Sequence, residues 1–417
     1  MTATEPRQAR LLLPERARLF HIGLPKTGTT HLQNAAAALR PELLAHGVHY
    51  PGRTFNHRRE VSSFMGRGWG WGTKPTRDNW NRLMAEVDAD TENRIWLGHE
   101  FASESSEEMV HNFREVLGER IHVVVTLRHY GSILASSWQQ YMKMGDVVGF
   151  EDWLRAVLAD PPDRKVTKTF HTRNDQGLVV SRWADIVGPE NMTAIVIDKA
   201  TPNLLTDAFE DLLGLPRELL ASAEQDGYSS NRGMSVEEAE LLRTVNAEFR
   251  RRKLPWPAYE HWMRQGVAGH MMSSRQPADH DTTFELPEWA AEKATERGNR
   301  YVDQIEATGV RVVGDLGVLR VPARSSENPV FTVAQVPLDA AAEAVLGSIQ
   351  AGLKKDTQLT SAKEKLAAEK EKLAAEKEKL AAWKQEPPTL DGFRASELVA
   401  EVGRRVARRA RNALRRS

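Results

Sequence analysis

Between residues 19 and 198 short apolar runs alternate with amphipathic stretches, the pattern of parallel strands joined by helices. The apolar runs predict strands at 19–24, 48–50, 94–98, 121–127 and 192–197. The fourth, IHVVVTL, is almost continuously apolar, as a central strand covered on both faces requires. Helical patterns fall at 31–39, 103–117, 132–144, 176–186 and 203–213. This order predicts an α/β fold built on a doubly wound parallel sheet, whose ligands gather at the carboxyl ends of the strands.

Beyond residue 227 the pattern becomes mostly helical, with Ser235 and Glu238 spaced as a capping box. After Pro337 the chain turns to Ala, Glu and Lys, and the repeat KEKLAAE, KEKLAAE, KEKLAAW fills 363–383. Leu359, Leu366, Leu373 and Leu380 recur every seven residues, but the partner seam position holds Lys363, Lys370 and Lys377, where a strong coiled coil needs apolar side chains. Charges from Lys365 to Lys379 form a ladder that supports a solvated helix. The segment reads as a charged spacer or a weak coiled coil, the second offering a route to a homo-oligomer. Pro387 and Pro388 end it. In the last stretch Leu398, Val399, Val402, Val406, Ala410 and Leu414 line one helical face and arginines crowd the rest, an arrangement suited to an anionic membrane surface. The expected division is a tail at 1–17, a main domain at 18–335, the charged helix at 336–386 and the basic segment at 387–417.

Composition narrows the function. Of 417 residues, 41% are hydrophobic and 27% charged, enough to bury a sizeable core. Lys plus Arg and Asp plus Glu each total 57, so the net charge is zero and a globally basic nucleic-acid binder is not expected. No cysteine occurs, which excludes disulfides, thiolate metal sites and a cysteine nucleophile. The scattered histidines His57, His111 and His171 have no metal-ligand spacing, and no metal site is expected. No apolar run approaches bilayer-spanning length, and the short Leu11–Leu13 run before Pro14 is no signal core, so the expected location is cytoplasmic, peripheral on the inner membrane surface if the basic segment binds lipid.

The chemistry concentrates in Gly23-Leu-Pro-Lys-Thr-Gly-Thr-Thr30, directly after the first strand and before the first helix. Glycines in that position let backbone amides approach an anion, and the helix N-terminus adds its positive end. A nucleoside-triphosphatase loop would place lysine after Gly28, whereas position 29 is Thr and the cation is Lys26, inside the loop. The fourth strand ends in Leu127-Arg128, and Ser136 follows two helical turns on, a spacing that lets a guanidinium and a hydroxyl converge on one phosphate.

These motifs resemble the sulfotransferase family, whose phosphosulfate loop reads Pro-Lys-Thr-Gly-Thr-Thr and is matched here by Pro25, Lys26, Thr27, Gly28, Thr29 and Thr30, with Gln33 as in bacterial members. The stretch LRHYGSILASSWQQYMKMG, including Gln140, resembles bacterial members as well, and the likeness extends over about 19–246. The resemblance implies a donor, 3′-phosphoadenylyl sulfate (PAPS), with Lys26 at the bridging oxygen and 5′-phosphate, donors from Thr27 to Thr30, and Arg128 with Ser136 on the 3′-phosphate. A late basic loop closes the donor site in the family, and Tyr228-Ser-Ser-Asn-Arg-Gly233, which matches it in part, offers Arg232.

The third strand, IWLGHE, ends in His99 and Glu100 at the same rim of the sheet. A histidine or an up-shifted glutamate there fills the role of a base that takes the acceptor's proton. Family members use either; bacterial relatives favour the glutamate, so Glu100 is the first candidate and His99 the second. The acceptor is a hydroxyl or amine, of the carbohydrate or glycolipid kind if Trp69 and Trp71 in GRGWGWGTKP stack on it. The competing readings are a P-loop kinase or nucleotide hydrolase, which would need Mg²⁺, and a noncatalytic membrane-tethered scaffold.

Overall fold

A computed structural model describes residues 11–68, 75–167, 169–223, 232–279, 281–385, 399–405 and 407. Trp69, Trp71, most of the 228–233 loop and most of the basic C-terminal segment lie outside these residues; 399–405 is helical.

Six strands, β1 (Arg18–His21), β2 (Val48–His49), β3 (Arg94–Leu97), β4 (Ile121–Arg128), β5 (Met192–Ile197) and β6 (Arg311–Val313), form one sheet in the order β2-β3-β1-β4-β5-β6. Every pairing is parallel. Side-chain alternation along the strands feeds two cores. Phe20, Ile95, Val123, Val125 and Ala194 face one side. Leu19, Trp96, Val124 and Ile195 face the other. The near-continuous apolar run of β4 follows from this, because helices cover it on both sides and polar side chains have nowhere to go.

Helices that matter for the site are α1 (Thr29–Ala38), α2 (Glu107–Leu117), α3 (Tyr130–Lys143), α4 (Gln176–Val187), α5 (Leu204–Leu213), α6 (Val236–Arg251), α7 (Glu288–Thr308) and α8 (Leu338–Gln385). α1 and α5 contribute to the second core and α4 to the first. A third core, around Trp138, Trp153 and Tyr259, is mostly helical and anchors α3 on its apolar side. The capping box at Ser235 and Glu238 forms.

The structure departs from the expected pattern at several edges. The sixth strand was not anticipated: only three residues long, it carries too little pattern to read. Residues 103–117 hold a short 3₁₀ turn, Glu100–Glu104, before α2 begins after its N-cap Ser106. The tail boundary also moves. Leu11 and Leu13 are buried in the second core, and Leu13 N–H donates to Leu212 O at 2.9 Å.

The chain divides into two units, 1–351 and 352–417, so the boundary falls inside α8 rather than at 335. In the first unit Ala340, Ala344 and Ala351 are buried, and Gly347 crosses Gly266 so closely that a Cβ at Gly347 would lie 2.6 Å from Gly266 O. Arg275 binds Asp339 at 2.8 Å and ties the first turn of α8 to the core. In the second unit Leu353, Leu359, Leu366 and Leu373 are all exposed. No helix among the described residues is long and apolar enough to cross a membrane.

Candidate active site

The loop after β1 owes its shape to three left-handed residues, Gly23 (φ 46°), Lys26 (φ 69°) and Gly28 (φ 85°). A Cβ at Gly23 would lie 2.5 Å from Thr29 Cγ2, so the close turn requires glycine. Gly28 is the N-cap of α1 and has no side chain to cap it, which leaves the helix's positive end facing the loop. Thr27 is buried: its hydroxyl donates to Leu24 O at 2.5 Å and hydrogen-bonds Thr126 Oγ1, while Leu24 N–H donates to Thr126 Oγ1 at 3.2 Å. That hydroxyl is engaged inside the loop and holds it together. Thr29 gives its hydroxyl to Glu100 Oε2 at 3.1 Å, so it too works inside the protein. Gly28 and Thr30 are exposed.

Lys26 Nζ donates to Gln140 Oε1 at 3.2 Å, and Arg128 Nη1 donates to Lys26 O at 2.7 Å. The loop is therefore clamped between the end of β4 and the polar side of α3. Burial first, and Arg128 second, lower the Lys26 pKa against the pull of Glu100. Gln176 fixes Arg128 from behind, accepting its N–H at 3.1 Å and donating to its carbonyl at 2.7 Å. Ser136 lies one turn before Gln140 on α3, with its hydroxyl donating to Ile133 O at 3.0 Å. Lys26 thus touches Gln140 through its ammonium and Arg128 through its carbonyl, and Ser136 shares Gln140's side of α3.

Arg232 is placed differently. Its guanidinium forms a two-pronged pair with Glu238, at 2.7 and 2.8 Å, and donates to the carbonyls of Gly233 and Met271. It is engaged with the N-terminus of α6, not with the loop.

Glu100 sits where β3 meets the rim. Burial alone would push its carboxyl up, but His99, the Thr29 hydroxyl, Arg173 and His21 together outweigh that and hold it below the ordinary carboxylate range. The up-shifted glutamate considered from the sequence is therefore not what the site contains; Glu100 is an ionised carboxylate. His99 is buried and neutral, its pKa lowered by burial first. Its Nδ1 accepts Phe101 N–H at 3.2 Å, which places the proton on Nε2, 3.8 Å from Glu100 Oε2. His57 accepts Gly98 N–H through Nδ1 at 3.3 Å and donates from Nε2 to Pro51 O at 2.8 Å. His21, on β1 beneath Glu100, is lowered to about 4 by burial, and its buried Nε2 has no partner. Two neutral imidazoles, His99 and His21, lie beside this carboxylate.

Beside Lys26 opens a cavity of about 590 Å³. Pro25, Met65, Phe101, Tyr141 and Met144 supply apolar wall, and Gln140, Ser137, Thr169 and Asn174 supply polar groups. One wall carries an ion cluster in which buried Glu104 accepts from Arg173 Nε at 2.7 Å and from Arg67 Nη1 at 2.8 Å. A second cavity, about 390 Å³, lies on the other flank of the loop between Gly28, His31 and the Asp198–Thr206 turn. Among the described residues no group of three or more His, Asp or Glu is arranged to hold a metal ion.

Sequence reading missed Thr126, Gln176, Glu104, Arg173 and His21. Their one sequence signal is position: Thr126 lies near a strand end, Glu104 just past another, and Gln176 at a helix start.

No family model matches the sequence, and no curated protein matches it. Among solved structures the chain is similar to the crystal structure of a sulfotransferase from Alicyclobacillus acidocaldarius, at 14% identity and a TM-score of 0.41, over 73% of this chain and 99% of that one. At that distance the function has to be read from the site itself.

Proposed function

We propose that the chain is a sulfotransferase that moves a sulfuryl group from PAPS to a hydroxyl or amine acceptor held in the larger cavity. The observation that carries this reading is Lys26. It stands inside an anion-shaped loop, is braced by Arg128 and Gln140, and also lines the cavity, so one cation borders both the phosphate cradle and the acceptor space. A triphosphate loop would use a lysine at the helix start instead.

In this reading each residue has a role. The acceptor's oxygen or nitrogen attacks sulfur in line, a new bond to sulfur forms, and the bond from sulfur to the 5′-phosphate oxygen breaks. Lys26 and the first amides of α1 meet the negative charge that develops on the departing phosphate. Glu100, already ionised, receives the acceptor's proton, and the Thr29 hydroxyl fixes the carboxylate's orientation. Arg128 and Ser136 bind the 3′-phosphate, where the charge-assisted contact of the guanidinium selects PAPS over nucleotides that lack it. The apolar wall of Met65, Phe101 and Met144 holds the body of the acceptor.

Calorimetric titration tests this. The product nucleotide, 3′-phosphoadenosine 5′-phosphate, should bind in the presence of EDTA and at least about tenfold more tightly than ATP, the scale of one charged hydrogen bond. Equal binding of both, or binding that needs Mg²⁺, would replace this reading with that of a kinase or hydrolase. Tight nucleotide binding with no transfer to any hydroxyl or amine acceptor would favour a noncatalytic scaffold.

A further inference from the structure

α3 places Ser136, Gln140 and Lys143 at i, i+4 and i+7, one line along a single side of the helix. The opposite side, with Leu134, Trp138 and Met142, is fully buried in the helical core, so the line faces away from that core. Gln140 touches Lys26. Ser136 lies on the β4 side of that contact, where the 3′-phosphate is assigned, and Lys143 lies on the other, about 4.5 Å further along the axis at 1.5 Å per residue. Tyr141 and Met144, its neighbours in sequence, line the acceptor cavity.

We propose that Lys143 is a second donor-binding cation, which takes up a proton from solvent when the anionic nucleotide enters. This rests on the sulfotransferase reading above. Position along α3 puts the ammonium past Lys26 on the sulfuryl side, where it adds to Lys26 rather than duplicating Arg128. Its location in the last turn of the helix favours a positive charge there.

The charge around it explains the proton. Lys26 faces it from the loop, Arg232 from the segment before α6, Glu238 from the first turn of α6, and Arg264 from the helical segment Tyr259–Ala268. Three of these four are cations. Burial first, then Lys26, Arg232 and Arg264, lower the Lys143 pKa to about 7, with Glu238 opposing. Glu238 is engaged by Arg232 and Arg275, and Arg264 by Glu260. In the empty protein at pH 8 the amine is therefore mostly neutral. An entering nucleotide with two phosphates reverses the local field and raises the affinity for a proton.

The test is titration of the full chain with 3′-phosphoadenosine 5′-phosphate at pH 8, in buffers of different ionisation enthalpy, which reads protons exchanged per nucleotide. The wild-type chain should take up roughly one proton, the linkage expected of one amine that charges on binding. Lys143→Gln should take up almost none and bind about tenfold more weakly or worse, the loss of one charged contact. Lys143→Arg, which is charged throughout, should keep affinity within about threefold and also lose the uptake. Uptake that persists in either variant overturns the proposal, as does unchanged affinity in Lys143→Gln. If the wild-type chain fails to bind this nucleotide at all, the sulfotransferase reading falls and Lys143's role falls with it; binding with uptake insensitive to position 143 removes this inference alone.

Discussion

Glu100 accepts the Thr29 hydroxyl at 3.1 Å and lies 3.8 Å from the His99 ring nitrogen, so Thr29 holds the carboxylate and His99 flanks it. Because His99, Thr29, Arg173 and His21 keep it below the usual carboxylate range, it stays ionised from mildly acidic to basic pH. Glu100→Gln preserves the shape and the Thr29 contact but removes the proton acceptor. Turnover should fall by about 100-fold or more, the usual scale for a general base, while affinity for 3′-phosphoadenosine 5′-phosphate stays the same. Steady-state rates and nucleotide titration on the same preparation check this; normal turnover would remove Glu100 from the chemistry. The sequence showed a histidine and a glutamate at a strand end and could not rank them physically. Burial separates them: His99 is enclosed and neutral, and Glu100 is partly open at the rim. Thr27 illustrates the opposite limit: a hydroxyl in the middle of a phosphate-loop motif turns inward, because Thr126 and Leu24 O lie beneath it.

The carboxyl end of β3 passes against the carboxyl end of β1 with no room between. Gly98 has φ 134°, and a Cβ there would lie 2.2 Å from His21 O, with the His21 N and C atoms also under 3 Å. Gly98→Ala cannot be relieved by a side-chain rotation, since every clash is with backbone. It should destabilise the chain by at least about 3 kcal/mol, measured by urea unfolding, and displace the loop that His21 precedes. A loss below about 1 kcal/mol would mean that the two strand ends separate more readily than their packing implies. Five of the six strands were legible because each carries four or more apolar positions or sits between clear turn residues. β6 was not, since Arg311–Val313 has three residues and its pairing with β5 arises only after α7 has returned the chain to the sheet edge. α3 was legible as a helix, but which side faced the site depended on the helical core built by residues after 150.

Across the molecule, burial has left four histidines, His21, His57, His122 and His171, with pKa values lowered from 6.5 to about 4. The unfolded chain binds protons at these sites as pH falls below about 6.5, and the folded chain does not until about 4. Stability is therefore fully present above pH 6.5 and drains away as pH falls through this window. Asp90, held near 2 by its Asn93 and His49 contacts against its desolvation, acts in the same direction at lower pH; Glu60, Asp175 and Glu210, raised by burial, oppose it. Scanning calorimetry should find a clearly lower Tm at pH 4.5 than at pH 7, and His57→Gln should flatten that dependence; a Tm independent of pH would show that these rings are not buried neutral. The sequence by itself determined the α/β alternation, the glycine-dependent turn after β1 and the change of composition after Pro337, because each is written in local periodicity or in residues that only one backbone conformation favours. Tertiary structure alone decided which hydroxyls face inward, that Arg232 pairs with Glu238 rather than the loop, that Glu104 and Arg173 meet on a cavity wall, and that a lysine at the end of α3 is held near neutrality. Those are matters of desolvation and of groups the fold brings together, such as Glu104 and Arg173, 69 positions apart, and neither leaves a mark on local sequence.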